Sequence, residues 1–146
     1  MNKEFISLLL RGILSSIAIL IVSYFIMYVS RLTWLPHIMS TCIIISILIT
    51  AFLIKTNSLS QSIWLGVGVG TLTGILYFSY YYFIFVSGGV ESKAGDSPEV
   101  VLGFLIIFSF IFTAMWIISS MIGAVISYFV RKKMFMNKLS KVDRAS

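Results

Sequence analysis

Four long apolar segments, separated by short polar connections, make up most of this 146-residue chain. They cover residues 6–29, 35–54, 63–87 and 100–130. A helix needs about 20 residues to cross the hydrocarbon core of a bilayer, and each segment reaches that length. The pattern therefore predicts an all-α integral membrane protein with four transmembrane helices in an antiparallel up-down bundle, which form one domain over residues 1–130.

The ends of these segments carry recognisable helix signals. Pro36 stands in the first turn of the second segment, where a missing N–H costs nothing. The run Asp96-Ser97-Pro98-Glu99 combines a capping side chain, an early proline and an acidic first turn, which predicts a helix start. A secretory signal peptide is the competing interpretation of the first segment, but Arg11 interrupts the apolar run and no A-x-A-like cleavage site follows. We therefore expect a retained first helix.

Composition supports the membrane assignment. Hydrophobic residues make up 59% of the chain and charged residues 11%, and the mean hydropathy is +1.03. A soluble domain of this size could not bury so much apolar surface in one core, and its charged fraction would be about a quarter. This excludes a soluble enzyme or a nucleic-acid-binding domain as the main interpretation, and we expect no nucleic-acid partner.

The distribution of positive charge predicts an orientation. With four spans both termini lie on one side, which then carries nine of the eleven Lys and Arg residues, while Arg31 and Lys93 lie on the other. The positive-inside rule places both termini in the cytoplasm and the 88–99 loop outside. Because no targeting pattern or N-x-S/T sequon is present, we expect the plasma membrane of a bacterial cell.

Residues 131–146 form a basic tail that we expect to lie in the cytoplasm. Phe135, Leu139 and Val142 fall at helical spacing, so the tail could lie along the headgroups as an interfacial helix. The alternative is a disordered positive anchor. In both cases we expect the tail to contact anionic lipid headgroups through Arg131, Lys132, Lys133, Lys138 and Lys141.

The third segment carries a glycine zipper pattern. Gly66, Gly70 and Gly74 recur every four residues and therefore share one helix face, which lets another helix approach closely in lipid. The segment IWLGVGVG at 63–70 resembles the glycine-rich third helix of the small multidrug resistance transporters, which are also four-helix proteins. That family has an essential acidic residue in its first helix, whereas positions 12–29 contain none. We interpret the likeness as convergent packing and assign no family.

The fourth segment has small residues at the same spacing, at Ser119, Gly123 and Ser127. In a hairpin the small residues of both helices fall in the same half of the bilayer. The spacing then pairs Gly66 with Ser127, Gly70 with Gly123, and Gly74 with Ser119 or Ser120. The competing interpretation gives the glycine face to a homo-oligomer.

Candidate chemistry in the chain is sparse. Tyr77 and Tyr81, together with His37, could line a cleft that opens outward, but we favour an aromatic belt for the tyrosines and a hydrogen-bonded interfacial position for the histidine. All five carboxylates fall outside the apolar segments, and Cys42 is the only cysteine. We therefore expect no catalytic residues, no metal site and no cofactor, and the protein is predicted not to be an enzyme.

Two functions follow as hypotheses. The first is an accessory, assembly or interaction subunit that binds another membrane protein, because packing faces are well developed. The alternative is a small-molecule or ion transporter or a holin-like oligomeric pore. An intramembrane enzyme would depend on His37 alone.

Overall fold

A computed structural model shows that the chain is all-helical. The structure describes residues 3–29, 35–87 and 98–142, and the side-chain surroundings of residues 6–25, 40–87 and 99–136. The four helices are α1 (Lys3–Val29), α2 (Leu35–Leu53), α3 (Leu59–Val86) and α4 (Pro98–Val142). The predicted all-α class with four helices is confirmed at this level.

Three of the helices are long and apolar enough to cross a membrane. Within the described residues these stretches are Ile6–Phe25, Leu59–Val86 and Glu99–Met136. The second helix supplies a shorter apolar stretch, Ser40–Leu53. The chain therefore has the helices of a membrane protein.

The start of α3 is fixed by a capping residue. The helix begins at Leu59, ahead of the apolar segment at 63, because Ser58 has an extended backbone and its hydroxyl accepts a hydrogen bond from the Gln61 amide at 3.2 Å. This satisfies one of the free N–H groups at the helix start. The helix therefore begins four residues before the apolar segment that predicted it, in the polar turn at 59–62.

The last helix is far longer than a bilayer core requires. It has 45 residues, which corresponds to about 68 Å at 1.5 Å per residue. It continues without a break through Val142, so residues 131–142 are helical rather than disordered. Residues 131–142 of the basic tail thus extend α4.

Each helix packs mainly against two others, in the order α1, α2, α4, α3 around the bundle. The contacts of α2 and α4 advance together along both helices, from Ser46 with Ser119 to Ile54 with Ser127. Helices α2 and α4 therefore run in the same direction. The α2–α3 connection crosses the bundle diagonally, which differs from a simple bundle in which consecutive helices are neighbours.

The interior of the bundle is more polar than its exterior. Among the residues whose side-chain surroundings the structure describes, twelve Ser and Thr residues are buried and only seven apolar residues are, including Ile19, Val69 and Trp116. Large apolar side chains point outward in all four helices, for example Phe52 and Phe110 at 80% and 73% exposure. Such an apolar exterior is stable in lipid and would aggregate in water.

Candidate functional site

The glycine face of α3 lies directly against the backbone of α4. A methyl group built on Gly66 would lie 2.5 Å from Met121 Cα, and one built on Gly70 would lie 2.5 Å from Ile117 N. One on Gly74 would lie 2.5 Å from Thr113 Cγ2. No side chain larger than hydrogen fits at these distances. The three glycines therefore allow the closest helix contact of the bundle.

The pairing predicted for this contact is wrong. Gly70 lies against Trp116 and Ile117 rather than against Gly123, and Gly66 lies against Ser120 and Met121 rather than against Ser127. Gly74 meets Thr113 instead of Ser119 or Ser120. The physical reason is the axial register of the two helices, which apolar length and membrane depth do not fix. The observed partners at 121, 117 and 113 each precede the predicted 127, 123 and 119 by six residues.

The small residues of α4 face α2 instead. A methyl group on Gly123 would lie 2.5 Å from Ile47 O and 2.9 Å from Thr50 Cβ. The Ser119 hydroxyl donates to Ser46 Oγ at 3.0 Å, and the Ser127 hydroxyl donates to Ile54 O at 2.7 Å. The predicted residues of α4 thus lie at a helix contact, but with a different partner.

A compact hydroxyl layer holds α2 and α4 together. Ser46 Oγ lies 3.1 Å from Ser120 Oγ as well as 3.0 Å from Ser119 Oγ, and all three residues are buried. Because water is absent from the hydrocarbon core, each hydroxyl must find a protein partner, which makes such layers specific for one helix alignment. A related bond joins α1 to α3, where Ser16 Oγ donates to Val69 O at 3.1 Å.

The opposite half of the bundle is built from aromatic rings. Tyr77 lies at the centre, with ring centroids 4.5 Å from Tyr81, 5.0 Å from Trp116 and 5.4 Å from Phe112. A second contact joins α1 to α3, because Tyr24 meets Tyr80 edge to face at 5.9 Å. These rings are too large for the helices to close as they do at the glycines.

A cavity of about 210 Å³ remains between these rings and the facing helices. All four helices contribute to its wall, which we call the aromatic cavity and which is almost entirely apolar. Its polar edges come from Ser23 and Cys42, opposite Tyr77, Tyr81 and Trp116. Since an apolar cavity of about 150 Å³ holds benzene, this one has room for a molecule of one or two rings.

Two buried polar atoms of the cavity wall lack hydrogen bonds. Trp116 is 1% exposed and Ser23 is 4% exposed, yet neither Trp116 Nε1 nor Ser23 Oγ has a regular partner among the described residues. Only the Cys42 thiol, a weak acceptor, lies beside the Ser23 hydroxyl. A buried group without a partner costs about 1–3 kcal/mol. The cavity therefore presents unused hydrogen-bonding capacity to anything that enters it.

Two of the three residues predicted to line an outward cleft come together in the structure. Tyr77 and Tyr81 both line the aromatic cavity. His37 lies in α2, but its side-chain surroundings fall outside the described residues, as does the 88–97 part of the predicted outward loop. In the described part of the chain, no group of three or more His, Cys, Asp and Glu residues could hold a metal ion.

Of the predicted lipid contacts, Arg131 is partly buried, while Lys132 and Lys133 are exposed. Lys138 and Lys141 lie in the helical tail, beyond the residues whose side chains the structure describes. Arg131 shares a groove with Arg11 and Lys55, two residues that the sequence did not connect with it.

Sequence reasoning missed three residues that shape these sites. Trp116 and Ser23 were treated as ordinary members of their segments, and Ser46 was not considered as a partner for α4. A signal for Ser46 did exist. Cys42, Ser46 and Thr50 recur every four residues in α2, which is the same spacing as the small residues of α4.

Comparison with protein-family models, with curated proteins and with solved structures finds no match to this chain.

Proposed function

We propose that this protein is a four-span membrane protein that works as an accessory subunit, binding another membrane protein within the bilayer. The proposed spans include α2, whose 19 residues correspond to about 28 Å, close to the thickness of the hydrocarbon core. Alternating crossings agree with the order of the α3–α4 contacts, in which Gly66 meets Met121 and Gly74 meets Thr113. The excess of positive residues on the side of the termini supports a cytoplasmic location for both ends.

This orientation has a direct test. A cysteine introduced at Ser92, in a Cys42→Ser background, should react with an impermeant thiol reagent applied outside intact cells, and one introduced at Ser140 should not. Labelling at 140 alone would reverse the orientation. Labelling of both positions from outside would mean that the chain does not cross the membrane once between them, which would contradict the proposed span of α4.

One observation carries the accessory function: a groove on the outer surface between α1 and α3. It has a volume of about 540 Å³ and is lined by Gly12, Trp64 and Gly68, among others. Gly68 has no other atom within 4 Å of a methyl group built on it, and Trp64 is 72% exposed. Helices associate in lipid where small residues allow close approach. Gly68 is open to a helix of another protein. The glycine face of α3 is not, because α4 already covers it.

The decisive experiment compares two open glycines. The protein is extracted gently from native membranes as wild type, Gly68→Leu and Gly103→Leu, because Gly103 of α4 also has no atom within 4 Å of a built methyl group. We expect a stoichiometric partner protein to co-purify with wild type and Gly103→Leu and to be lost from Gly68→Leu. Equal retention by all three variants, or purification of wild type without a partner, would contradict the proposal.

The aromatic cavity favours a second candidate function, the binding or transport of a small lipophilic molecule. An unpaired N–H calls for an acceptor, so the ligand would be an uncharged one- or two-ring compound that carries a carbonyl or similar oxygen. A cation is less suitable because it offers no acceptor to Trp116 Nε1.

The second candidate is tested with 1-tetralone, a two-ring ketone that does not react with thiols such as Cys42, and with tetralin as a matched compound without the oxygen. The ketone should raise the thermal unfolding midpoint of the protein in nanodiscs more than tetralin does. Trp116→Phe, which keeps a ring but removes the donor, should abolish that difference. Equal shifts for both compounds in wild type would show apolar filling without recognition of the oxygen.

A further inference from the structure

A second recess lies at the end of the bundle that carries Arg11, Lys55 and Arg131, which we call the charged end. These three cations come from α1, from the α2–α3 connection and from α4, and all of them line one groove of about 670 Å³. Arg131 lies near enough to Arg11 for the two charges to repel each other. Residues from three separate segments thus bring positive charge to a single place.

The groove itself is apolar below these charges. Its wall is formed by residues of α2 and α4, such as Leu48, Phe52, Ile126 and Val130. Phe52 is 80% exposed and Ile126 is 43% exposed, so the groove opens toward the exterior of the bundle. In a bilayer this surface meets acyl chains.

A polar recess of about 320 Å³ adjoins the groove and shares Arg11 and Lys55 with it. Its other lining residues include Ser7, Asn57 and Gln61, which offer neutral hydrogen-bonding groups. None of the described residues that line either recess is acidic. Within these two recesses, the positive charges therefore have no counter-ion among the described residues.

We propose that the charged end is a binding site for one anionic phospholipid. The phosphate accepts hydrogen bonds from Arg11, Lys55 and Arg131, an uncharged polar headgroup occupies the recess beside Asn57 and Gln61, and an acyl chain lies in the groove along Phe52 and Val130. Arginine is well suited to phosphate because its planar guanidinium donates two parallel hydrogen bonds. Basic pockets between helices at the cytoplasmic side are a known way to hold such lipids.

This site differs from a general attraction of the tail to the membrane surface. Lys132 and Lys133 follow Arg131 directly, but they are exposed and line neither recess. A diffuse surface attraction depends on the number of charges, whereas a site depends on where they lie. The inference rests on the proposed membrane placement and not on the proposed partner protein.

The experiment compares two double variants with the same loss of charge. Native mass spectrometry counts the phosphatidylglycerol and phosphatidylcholine molecules that remain bound to wild type, to Arg11→Gln/Arg131→Gln and to Lys132→Gln/Lys133→Gln. We expect one phosphatidylglycerol on wild type and on the Lys132/Lys133 variant. We expect its affinity to fall by about tenfold or more in the Arg11/Arg131 variant, which corresponds to lost hydrogen bonds to a charged group.

Two further arms keep the proposal open to refutation. Ala51→Phe narrows the groove without changing charge and should also reduce retention of phosphatidylglycerol, which covers the case that the Arg11/Arg131 variant does not fold. Excess inorganic phosphate should neither displace the lipid nor raise the unfolding midpoint. Displacement by phosphate would reduce the site to a free-anion site. Equal retention of both lipids, or equal losses in both double variants, would overturn the proposal.

Discussion

The two halves of the bundle show opposite ways of packing helices in a membrane. Toward the charged end, glycines and serines let α3 and α2 approach the backbone of α4, and the buried hydroxyls there make hydrogen bonds. Toward the other end, Tyr77, Phe112 and Trp116 hold the helices apart and leave a cavity in whose wall Trp116 Nε1 and Ser23 Oγ have no regular hydrogen bond. The comparison teaches that one bundle can combine a region of close helix contacts with a region in which large rings leave a cavity.

The largest expected effect comes from the glycine face. Gly70→Ala places a methyl group 2.5 Å from Ile117 N, so the two backbones must separate. We expect the free energy of unfolding to fall by about 3 kcal/mol, the upper end of the usual cost of overpacking. The measurement is reversible unfolding in mixed micelles.

Gly68→Ala is the matched control for this variant. It adds the same methyl group to the same helix, where no atom lies within 4 Å. Because alanine is the better helix former by about 0.5–1 kcal/mol, stability should stay constant or rise. Equal losses for both variants would mean that helix flexibility, and not the close contact with α4, determines the result.

A somewhat smaller loss is expected at the α2–α4 contact. Gly123→Ala brings a methyl group to 2.9 Å from Thr50 Cβ and 2.5 Å from Ile47 O. One backbone atom, Ile47 O, lies within 3.0 Å of this methyl group, whereas three backbone atoms do so at Gly70, and we therefore expect a smaller loss of about 1–2 kcal/mol. Gly103→Ala, also in α4 but in open space, should be neutral. If Gly103→Ala were destabilised as well, a loss at Gly123 could no longer be attributed to its contact with α2.

The hydroxyl layer should contribute less than the glycines. Ser46→Ala removes both hydroxyl contacts of Ser46, to Ser119 and Ser120. At about 0.6 kcal/mol for each interhelical hydrogen bond in a membrane protein, the loss should be about 1 kcal/mol. The control is Ser15→Ala, because the Ser15 hydroxyl bonds only to the Arg11 carbonyl in its own helix. When both variants are unfolded under identical conditions, Ser15→Ala should lose less free energy of unfolding than Ser46→Ala does.

The smallest effect should have the opposite sign. Ser23→Ala removes a buried hydroxyl that has no regular hydrogen bond, so the variant should be as stable as wild type or gain up to about 1 kcal/mol. The same serine-to-alanine change would then destabilise one half of the bundle and not the other. A loss similar to that of Ser46→Ala would instead show that Ser23 is fully satisfied and that the aromatic half is packed like the glycine half.

Sequence reasoning predicted the helices well because apolar length determines them directly. Four apolar segments gave four helices, and the spacing of Gly66, Gly70 and Gly74 identified the face of α3 that meets α4. The detailed pairing failed because apolar length and membrane depth determine neither the axial register nor the rotation of a helix, and the partners of the three glycines lie six residues earlier in α4 than predicted. Ser119, Gly123 and Ser127 form a real packing face, but α4 turns that face to α2.

The sites were harder to predict than the helices. Nothing local in the sequence indicates that Trp116 lacks a hydrogen-bond acceptor, since that depends on which side chains the other three helices bring near it. Likewise, Arg11, Lys55 and Arg131 are separated by long stretches of chain and meet only through the arrangement of the bundle. Their positive charge predicted an orientation, but it could not predict a shared groove.

The diagonal arrangement of the helices also has a consequence for synthesis of the chain. Ser119, the partner of Ser46, lies 73 residues further along the chain. At a synthesis rate of about 5–20 residues per second, the hydroxyl face of α2 therefore remains uncovered for about 4–15 s. The glycine face of α3 also remains uncovered until α4 has been synthesised. Quality-control proteases and membrane chaperones would thus meet an incomplete bundle with two uncovered faces, and arrival of α4 covers both of them in one step.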